Sequence, residues 1–549
     1  MKKTIYIILA LCSVLALCCF NAAAAPAGTP ITSATDFASM SANGNYYLAN
    51  DIIIDTSYAG EFRGTFDGNG KTITVYAPIF TAIDGATIKN LNVTGIINGT
   101  GGNTAAVAVS ASGAVTFSNV TTKVTIVEAL GAGSLLAVAD DTAYVTVTNC
   151  VNEGTISGFG TIGGLVGLIN NNVATVTGCV NKGKILSTGG QSAGIVSAFG
   201  VTDGVAPKDT ITIDNCVNYA DITGDYAQSG GILAFLCGGA VITNCKNYGN
   251  ILNTNNKAGG IFGTTINTTK NVCALTIENC INYGDVCASK VVAGIAARLG
   301  RAVQVEGMNY SINNCVNYGK LTTYTAITYY EKSNTLYMGG IAGYAYGGSL
   351  IPANSVTNCI NFGDIVADSS HLTADSSLYI GGIIAYVNSS NYICKNNINV
   401  GNINYKGTLA PTAIALIVYN KATSPEEANN FSSDALPGAN FNDTLTTVVT
   451  PEQLASGEVA FAANEAAGKT IFYQTIGSDK VPLVFADADG SNTVVKNADG
   501  SFSNVAKDTA TTEPEVIVTP STGDATLIFA VIAFISIIGT AVVTKRIKN

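Results

Sequence analysis

Residues 314–319 read NCVNYG, and close variants of this hexapeptide return along most of the chain. NCVNEG starts at 149, GCVNKG at 178, NCVNYA at 215, NCKNYG at 244, NCINYG at 279 and NCINFG at 358. A degenerate copy, NNINVG, starts at 396, and NLNVTG at 90 and NVTTKV at 119 hold the same place in weaker form. Successive starts lie 29 to 44 residues apart, a period that marks stacked structural units.

Each unit has one internal grammar. An alternating run such as Thr210-Ile211-Thr212-Ile213-Asp214 leads into Asn-Cys; a Gly and an Ile or Val follow; a small-residue segment such as GGLVG at 163 or GGIAG at 339 closes the unit. Alternation of period two between Asn and Gly turns reads as short strands, and the repeats carry no helical spacing. The expected fold is all-β: a right-handed parallel β-helix of about ten coils, stacked at ~4.8 Å per coil. Its hexapeptide is a corner written once per turn.

A fixed position then becomes a ladder along the axis. The slot held by Leu91, Val120, Cys150, Cys179, Cys216, Cys245, Cys280, Cys315 and Cys359 asks for a small or medium apolar side chain, so it points inward. Asn suits the flanking turns, because it tolerates the left-handed backbone and can bond to the same side chain in the next coil. Tyr219, Tyr248, Tyr283, Tyr318 and Phe362 are expected to stack two positions after the apolar residue. One Cys per coil leaves Cβ atoms ~4.8 Å apart, wider than a relaxed disulfide needs. Buried free thiols are therefore expected rather than bridges. Paired Cys spacings with a nearby His are absent, which excludes a zinc site of the usual spacing.

The two ends read as addresses. Lys2 and Lys3, the apolar run Ile5–Phe20 and the small residues up to Ala24 and Ala25 have the order of a cleaved signal peptide; a buried helix is the competing reading. Leu17 before Cys18 does not make a lipobox. At the other end an apolar run from Thr526 to Val543 precedes Lys545, Arg546 and Lys548. That run is long enough to cross a bilayer with its basic end cytoplasmic. Pro520-Ser521-Thr522-Gly523 stands before it, and the order of motif, span and basic tail resembles the LPXTG sorting signal of Gram-positive surface proteins, with Thr519 in place of the leading Leu. The resemblance implies a sortase-type transpeptidase that cuts between Thr522 and Gly523 and joins Thr522 to peptidoglycan. An uncleaved membrane anchor is the alternative. Both place the protein outside the cell, on the wall or on the outer face of the cytoplasmic membrane.

Composition agrees with that place. The 549 residues carry 12% charged side chains, no Trp, one His and a formal charge of −10. Processing at both ends would remove five Lys/Arg and one Asp and leave −14. Such a surface repels nucleic acid, which is excluded as a partner.

The opening YYLANDIIID (46–55), GTFDGNGKTITV (64–75) and ATIKNLNVTG (86–95), with the GGLVG and GGIAG elements, resembles GLUG-type repeat proteins of bacterial surfaces. LASGEVAFAAN and FYQTIGSDKVPLVF, within 452–485, are similar to a closing module that follows such stacks. The resemblance spans roughly residues 45–485 and implies a surface protein acting as an adhesin. The division that results is 1–24 signal peptide, 25–84 N-terminal cap and first coils, 85–410 repeats, 411–450 connecting segment, 451–496 C-terminal β module, 497–519 wall-spanning linker and 520–549 sorting signal.

Chemistry is sparse. Asp221, Asn250, Asp285 and Asp364 share one coil position, and a solvated face accounts for them more simply than a pair of convergent catalytic carboxylates. The Asp487, Asp489-Gly490 and Asn497, Asp499-Gly500 pairs lack the spacing of a calcium loop and read as turns. No nucleophile and base, phosphate loop, cofactor motif or metal set is present, so no enzyme activity and no cofactor is expected. Two neighbouring coils carry long insertions at the same point, 322–338 and 366–380. They supply Tyr324, Tyr329, Tyr330 and Tyr337, then Asp368, His371 and Asp375. Loops displayed by a rigid scaffold are where binding residues gather. The expected function is adhesion, with a glycan or a host extracellular protein as ligand. A polysaccharide lyase or hydrolase and a plain structural spacer are the alternatives.

Overall fold

The computed structural model describes residues 26–170, 172–200, 210–265, 273–300, 309–326, 335–346, 354–388, 392–407, 409–420, 426–433, 446–484 and 492–505. The leader with Ala24 and Ala25, the Pro520–Gly523 motif, the apolar tail, Tyr329 and Tyr330 lie outside the described residues.

The chain winds into a parallel β-solenoid. In each repeat the run before the Cys, the two residues after it and the strand after the Gly pair with their counterparts one coil away. The two-residue strands show it: Val217 pairs with Lys246, then Ile281, Val316, Ile360, Ile398 and Phe431 in unbroken register. A ten-stranded ladder precedes the Gly-Gly element, from Asn103–Ala105 to Ala413–Ala415, and a twelve-stranded ladder follows it, from Tyr58–Phe62 to Val418–Asn420. The stack is thus longer than the ten coils expected from the hexapeptides. It takes in Thr29–Ile31 and Asn45–Leu48 at one end and Asn430–Ser432, in the stretch expected to connect, at the other. NNFSS at 429 is an eroded hexapeptide that went unread because it has lost both its Cys and its second Asn. The capping element is the short helix Ala34–Ala38, started by Ser33 accepting from the Asp36 N–H. Its buried Phe37 sits edge-on to Tyr58 and Phe66.

The corner assigns one task to each letter of NCVNYG. The first Asn adopts the left-handed conformation at 149, 215, 244, 279, 314, 358 and 396, with φ between 50° and 58°, and Gly178 takes its place at φ 64°. The Cys side chains are buried and free. Their Sγ atoms donate to the carbonyl two residues back, as Cys245 does to Thr243 O at 3.1 Å, and burial pushes the thiols of Cys216, Cys245 and Cys315 well up. At the end of this column Asn397 and Asn430 replace Cys, and they bond to each other and to buried backbone.

The second Asn forms a continuous buried ladder. Asn152, Asn181, Asn218, Asn247, Asn282, Asn317 and Asn361 each donate Nδ2 to the Oδ1 of the next, ending on Asn399, at 2.7–2.9 Å. The same Nδ2 also bonds the carbonyl two residues on, Gly284 O for Asn282. A buried amide with every partner in place is stabilising, whereas one stripped of partners is costly. Tyr219, Tyr248, Tyr283, Tyr318 and Phe362 stack outside, with centroids 4.6–5.2 Å apart and planes within 9°. The final Gly is required by close approach: a Cβ on Gly284 would lie 2.0 Å from Gly249 O.

The region from 451 is not the β module expected. Pro451–Ser456 and Glu458–Ala467 are helices, the first held by a capping box of Thr450 and Gln453. Val459, Ala460 and Ala463 are its buried face, a helical spacing that the resemblance to a closing module obscured. Two antiparallel pairs follow, Phe472–Tyr473 with Leu483–Val484 and Thr493–Lys496 with Phe502–Val505. The second pair corrects the start of the linker: residues 497–500 are its turn, where Gly500 has φ 87° and Asp499 accepts from Ser501. This unit buries Leu454, Val459 and Phe472 in one cluster with the outward residues Ile281, Val316, Ile360, Ile398 and Phe431, so it lies along the side of the stack.

Candidate functional site

A Gly-Gly or Ala-Gly pair joins the ten- and twelve-stranded ladders in the coils from Gly163 to Gly382, and the outward residues on its two sides vary from coil to coil. On the ten-stranded side Lys257 pairs with Val291, Val291 with Tyr337, Tyr337 with Tyr379 and Tyr379 with Ala413. On the other, Phe235 pairs with Thr264, Thr264 with Arg298, Arg298 with Tyr344 and Tyr344 with Tyr386. The sequence therefore places a Lys, an Arg and then two pairs of Tyr at matched positions: KAGGIFGT at 257, VVAGIAAR at 291, YMGGIAGY at 337 and YIGGIIAY at 379.

Small residues let the two outer faces meet. Ala297, Gly343 and Ala385 stand at the bend, and a Cβ on Gly343 would come 2.4 Å from the Val291 side chain. The outward Val291 is buried at 4% exposure among Ala297, Tyr344 and Tyr386, as an inside corner demands. Tyr337 meets Tyr344 across the bend at 4.7 Å between centroids. Along the axis Tyr337 stacks on Tyr379 at 5.3 Å and 10°, and Tyr344 on Tyr386 at 5.2 Å and 11°. Tyr379 meets Tyr419 on its other side at 5.5 Å. The Arg298 guanidinium lies 5.5 Å from the Tyr346 ring and 6.0 Å from that of Tyr344, within cation–π range. Lys257, one coil away, donates to Asn256 Oδ1 at 2.7 Å.

Burial pushes the phenols of Tyr337, Tyr344 and Tyr386 up, so they remain neutral donors at physiological pH. It pushes Lys257 down to about 7, helped by the like charges of Arg298 and Lys290, and it also lowers Arg298. The corner thus gathers positive charge and phenol hydroxyls on an otherwise acidic chain. Its rings differ from the sugar platforms expected of the inserted tyrosines: the stacked faces cover one another, with Tyr344 and Tyr386 buried and Tyr337 and Tyr379 half-buried.

Of the residues anticipated from the insertions, Tyr337 is part of this cluster. Tyr324 is half-buried, its N–H bonded to Ala288 O. Both insertions enter the ten-stranded ladder at the same register, Thr335 with Ser377. The second folds on itself: Asp368 pairs with Lys406 at 3.2 Å and accepts from the Ser370 N–H, and Leu372 is buried. His371 is half-buried and burial lowers its pKa. Arg298, Tyr344, Tyr346, Tyr379, Tyr386 and Lys257 were missed. For all but Tyr346 the signal was available in the residues two before and five after the first residue of each central Gly-Gly or Ala-Gly pair.

The shared acidic position is occupied with backbone. Asp221 Oδ1 accepts from the Asn250 N–H at 3.0 Å, Asp285 from Lys320 at 2.8 Å and Asp364 from Asn402 at 3.0 Å, while Asn250 serves Asp285 in the same way. Arg63 pairs with Glu61 and Asp84. Among the described residues no group of three or more His, Cys, Asp or Glu is placed to hold a metal. An open hollow of about 540 Å³ is lined by Glu128, Leu130, Ser157, Phe159 and Thr188.

No family model and no curated protein matches the chain. Among solved structures it is similar to an IgA1 protease at 19% identity and TM-score 0.32, covering 53% of this chain and 21% of that one. It is also similar to a candidate immunoglobulin A1 protease from Bacteroides ovatus at 14% identity and TM-score 0.27, covering 84% of this chain and 94% of that one. The chain thus spans about a fifth of the length of the first, and likenesses of this degree carry no activity across.

Proposed function

We propose that this chain is exported, held at the cell surface through its Pro520–Gly523 motif and apolar tail, and acts there in adhesion by binding a glycan or host-matrix ligand. The supporting observation is the corner cluster. In a solenoid most positions repeat because the stack demands it, whereas Lys257, Arg298 and the Tyr337/Tyr344/Tyr379/Tyr386 group break the repeat and converge. The engagement of Asp221, Asp285 and Asp364 with backbone N–H groups supports binding over glycoside cleavage, which would need two free convergent carboxylates.

The test is binding of cells displaying the full chain to arrays of glycans and matrix proteins, beside cells displaying Tyr337→Ala/Tyr379→Ala at equal surface density. Reproducible binding that the double variant loses is the expected result. Binding that survives the double variant would remove function from the corner, and no binding at all would favour the structural spacer.

A further inference from the structure

The corner has a chemical character that narrows its ligand, and this step rests on the binding reading above. Four features coincide. Lys257 and Arg298 lie in adjacent coils on opposite walls of one bend, since Lys257 pairs with Val291 and Thr264 with Arg298. Lys290, next to Val291, adds a third positive charge close to Lys257. None of the six ion pairs among the described residues engages Lys257 or Lys290; their carboxylates serve Arg63, Lys89, Lys182, Lys395 and Lys406. The Tyr337/Tyr379 and Tyr344/Tyr386 stacks continue the same two walls at coil spacing.

A cation in a partly desolvated recess attracts an anion more strongly than one on an open surface. Rings stacked face to face offer their electropositive edges sideways, which also suits oxygen-rich groups. The half-buried Tyr337 and Tyr379 repeat at the coil spacing, so a ligand lying along them must be a linear chain whose own polar groups recur on a short repeat.

We infer that this corner binds an acidic oligosaccharide lying along the solenoid axis, its carboxylate or sulfate on Lys257 and Arg298 and its hydroxyls along the tyrosine phenols. Uronic acid carboxylates and sulfate esters share this chemistry. An acidic peptide would satisfy the cations, yet it offers fewer hydroxyl groups to the phenol row.

The experiment uses the purified full chain in detergent, titrated with oligogalacturonate, its methyl ester, heparin-derived oligosaccharide, its desulfated form, neutral galactan oligosaccharide and poly-glutamate. The same titrations are run on Lys257→Met, Arg298→Met and Tyr379→Phe, with thermal unfolding as the folding control. Lys257→Met removes a half-buried charge and is expected to fold. Expected is binding of at least one acidic glycan that weakens tenfold or more when its acid is masked and in both Met variants, falls with added salt, and weakens a few-fold in Tyr379→Phe. The choice between oligogalacturonate and heparin identifies carboxylate or sulfate. Equal binding of masked and acidic forms would overturn the acidic ligand while leaving glycan binding standing. Poly-glutamate bound as tightly as any glycan would overturn the saccharide. Acidic binding undiminished in both Met variants, or binding of no member of the panel, would overturn the site itself. In that last case the cell-display array decides whether adhesion fails with it.

Discussion

Two sets of tyrosines stand on this solenoid, and they differ in one instructive way. Tyr219, Tyr248, Tyr283 and Tyr318, continued by Phe362, recur once per coil and lie within 9° of parallel. The corner set occupies only the coils from Tyr337 to Tyr419 and mixes parallel stacks with ring pairs at 53° to 76°. The first set extends the hexapeptide and so belongs to the scaffold. The second departs from any repeat and sits beside Arg298. Regular recurrence marks what the fold requires, and its local failure marks where the surface is free to specialise.

The largest effect expected from breaking this contrast lies inside the hexapeptide. Asn282→Ala would remove the donor to Gly284 O and Asn317 Oδ1 and the acceptor of the Asn247 amide. Stranding buried polar groups on both sides should cost about 2–4 kcal/mol. The loss should be concentrated in the neighbouring coils, since a solenoid is stabilised mainly by nearest-neighbour contacts. Amide exchange should show faster opening around residues 245–320 before the rest of the stack. Uniform protection with an unchanged urea midpoint would mean the Asn ladder is dispensable.

A smaller loss is expected at the outer ladder. Tyr283 stacks on Tyr248 and Tyr318 and packs against the cluster that includes the C-terminal helices. Tyr283→Ala should cost about 1–3 kcal/mol, from two ring pairs and their buried area, while leaving ligand binding by the corner intact. Tyr379→Ala should show the reverse emphasis, with binding weakened at least tenfold at a stability cost of no more than about 1–2 kcal/mol. If both variants lose binding equally, the distinction between scaffold and site tyrosines collapses.

The same distinction explains what the sequence disclosed. The Cys column, the left-handed Asn and the outer aromatic stack were legible because each is restated coil after coil, so that one misread copy hardly mattered. The corner was not, because Lys257, Arg298, Tyr337 and Tyr379 occupy equivalent positions with unlike chemistry. Only alignment on the Gly-Gly element brings them together. The insertions drew notice by length, yet length says nothing of what a loop does with its side chains. In the second, Asp368 is tied to Lys406 and Leu372 is buried. The helices at 451–467 were overlooked for a related reason: resemblance to a closing module outweighed the spacing of Val459, Ala460 and Ala463 within their own segment.

Thiol chemistry sharpens the contrast between inside and outside. Cys150, Cys179, Cys216, Cys245, Cys280, Cys315 and Cys359 are buried, whereas Cys287 is half-buried. Alkylation of the native protein followed by peptide mass spectrometry should label Cys287 first among these and leave the ladder unmodified until the stack unfolds. Early labelling of Cys280 or Cys315 would show that the coils open locally.

The smallest effect concerns the cation at the corner. Lys257 has a folded pKa of about 7 against an ordinary 10.5, because burial and the nearby charges of Arg298 and Lys290 disfavour its ammonium form. Below pH 7 both folded and unfolded chains carry the proton, and the penalty of the buried charge is present in full. Between about pH 7 and 10.5 the unfolded chain keeps a proton that the folded one releases, so this group's contribution to stability rises with pH across that window and then levels off. The melting temperature of the native chain minus that of Lys257→Met should therefore climb from pH 6 to pH 10, with the variant the more stable of the two at the acid end. A bound acidic glycan should flatten the climb, since an anion beside Lys257 restores its affinity for the proton. A difference independent of pH in the free protein would place the ammonium in solvent, and the corner would lose its claim to differ from the scaffold around it.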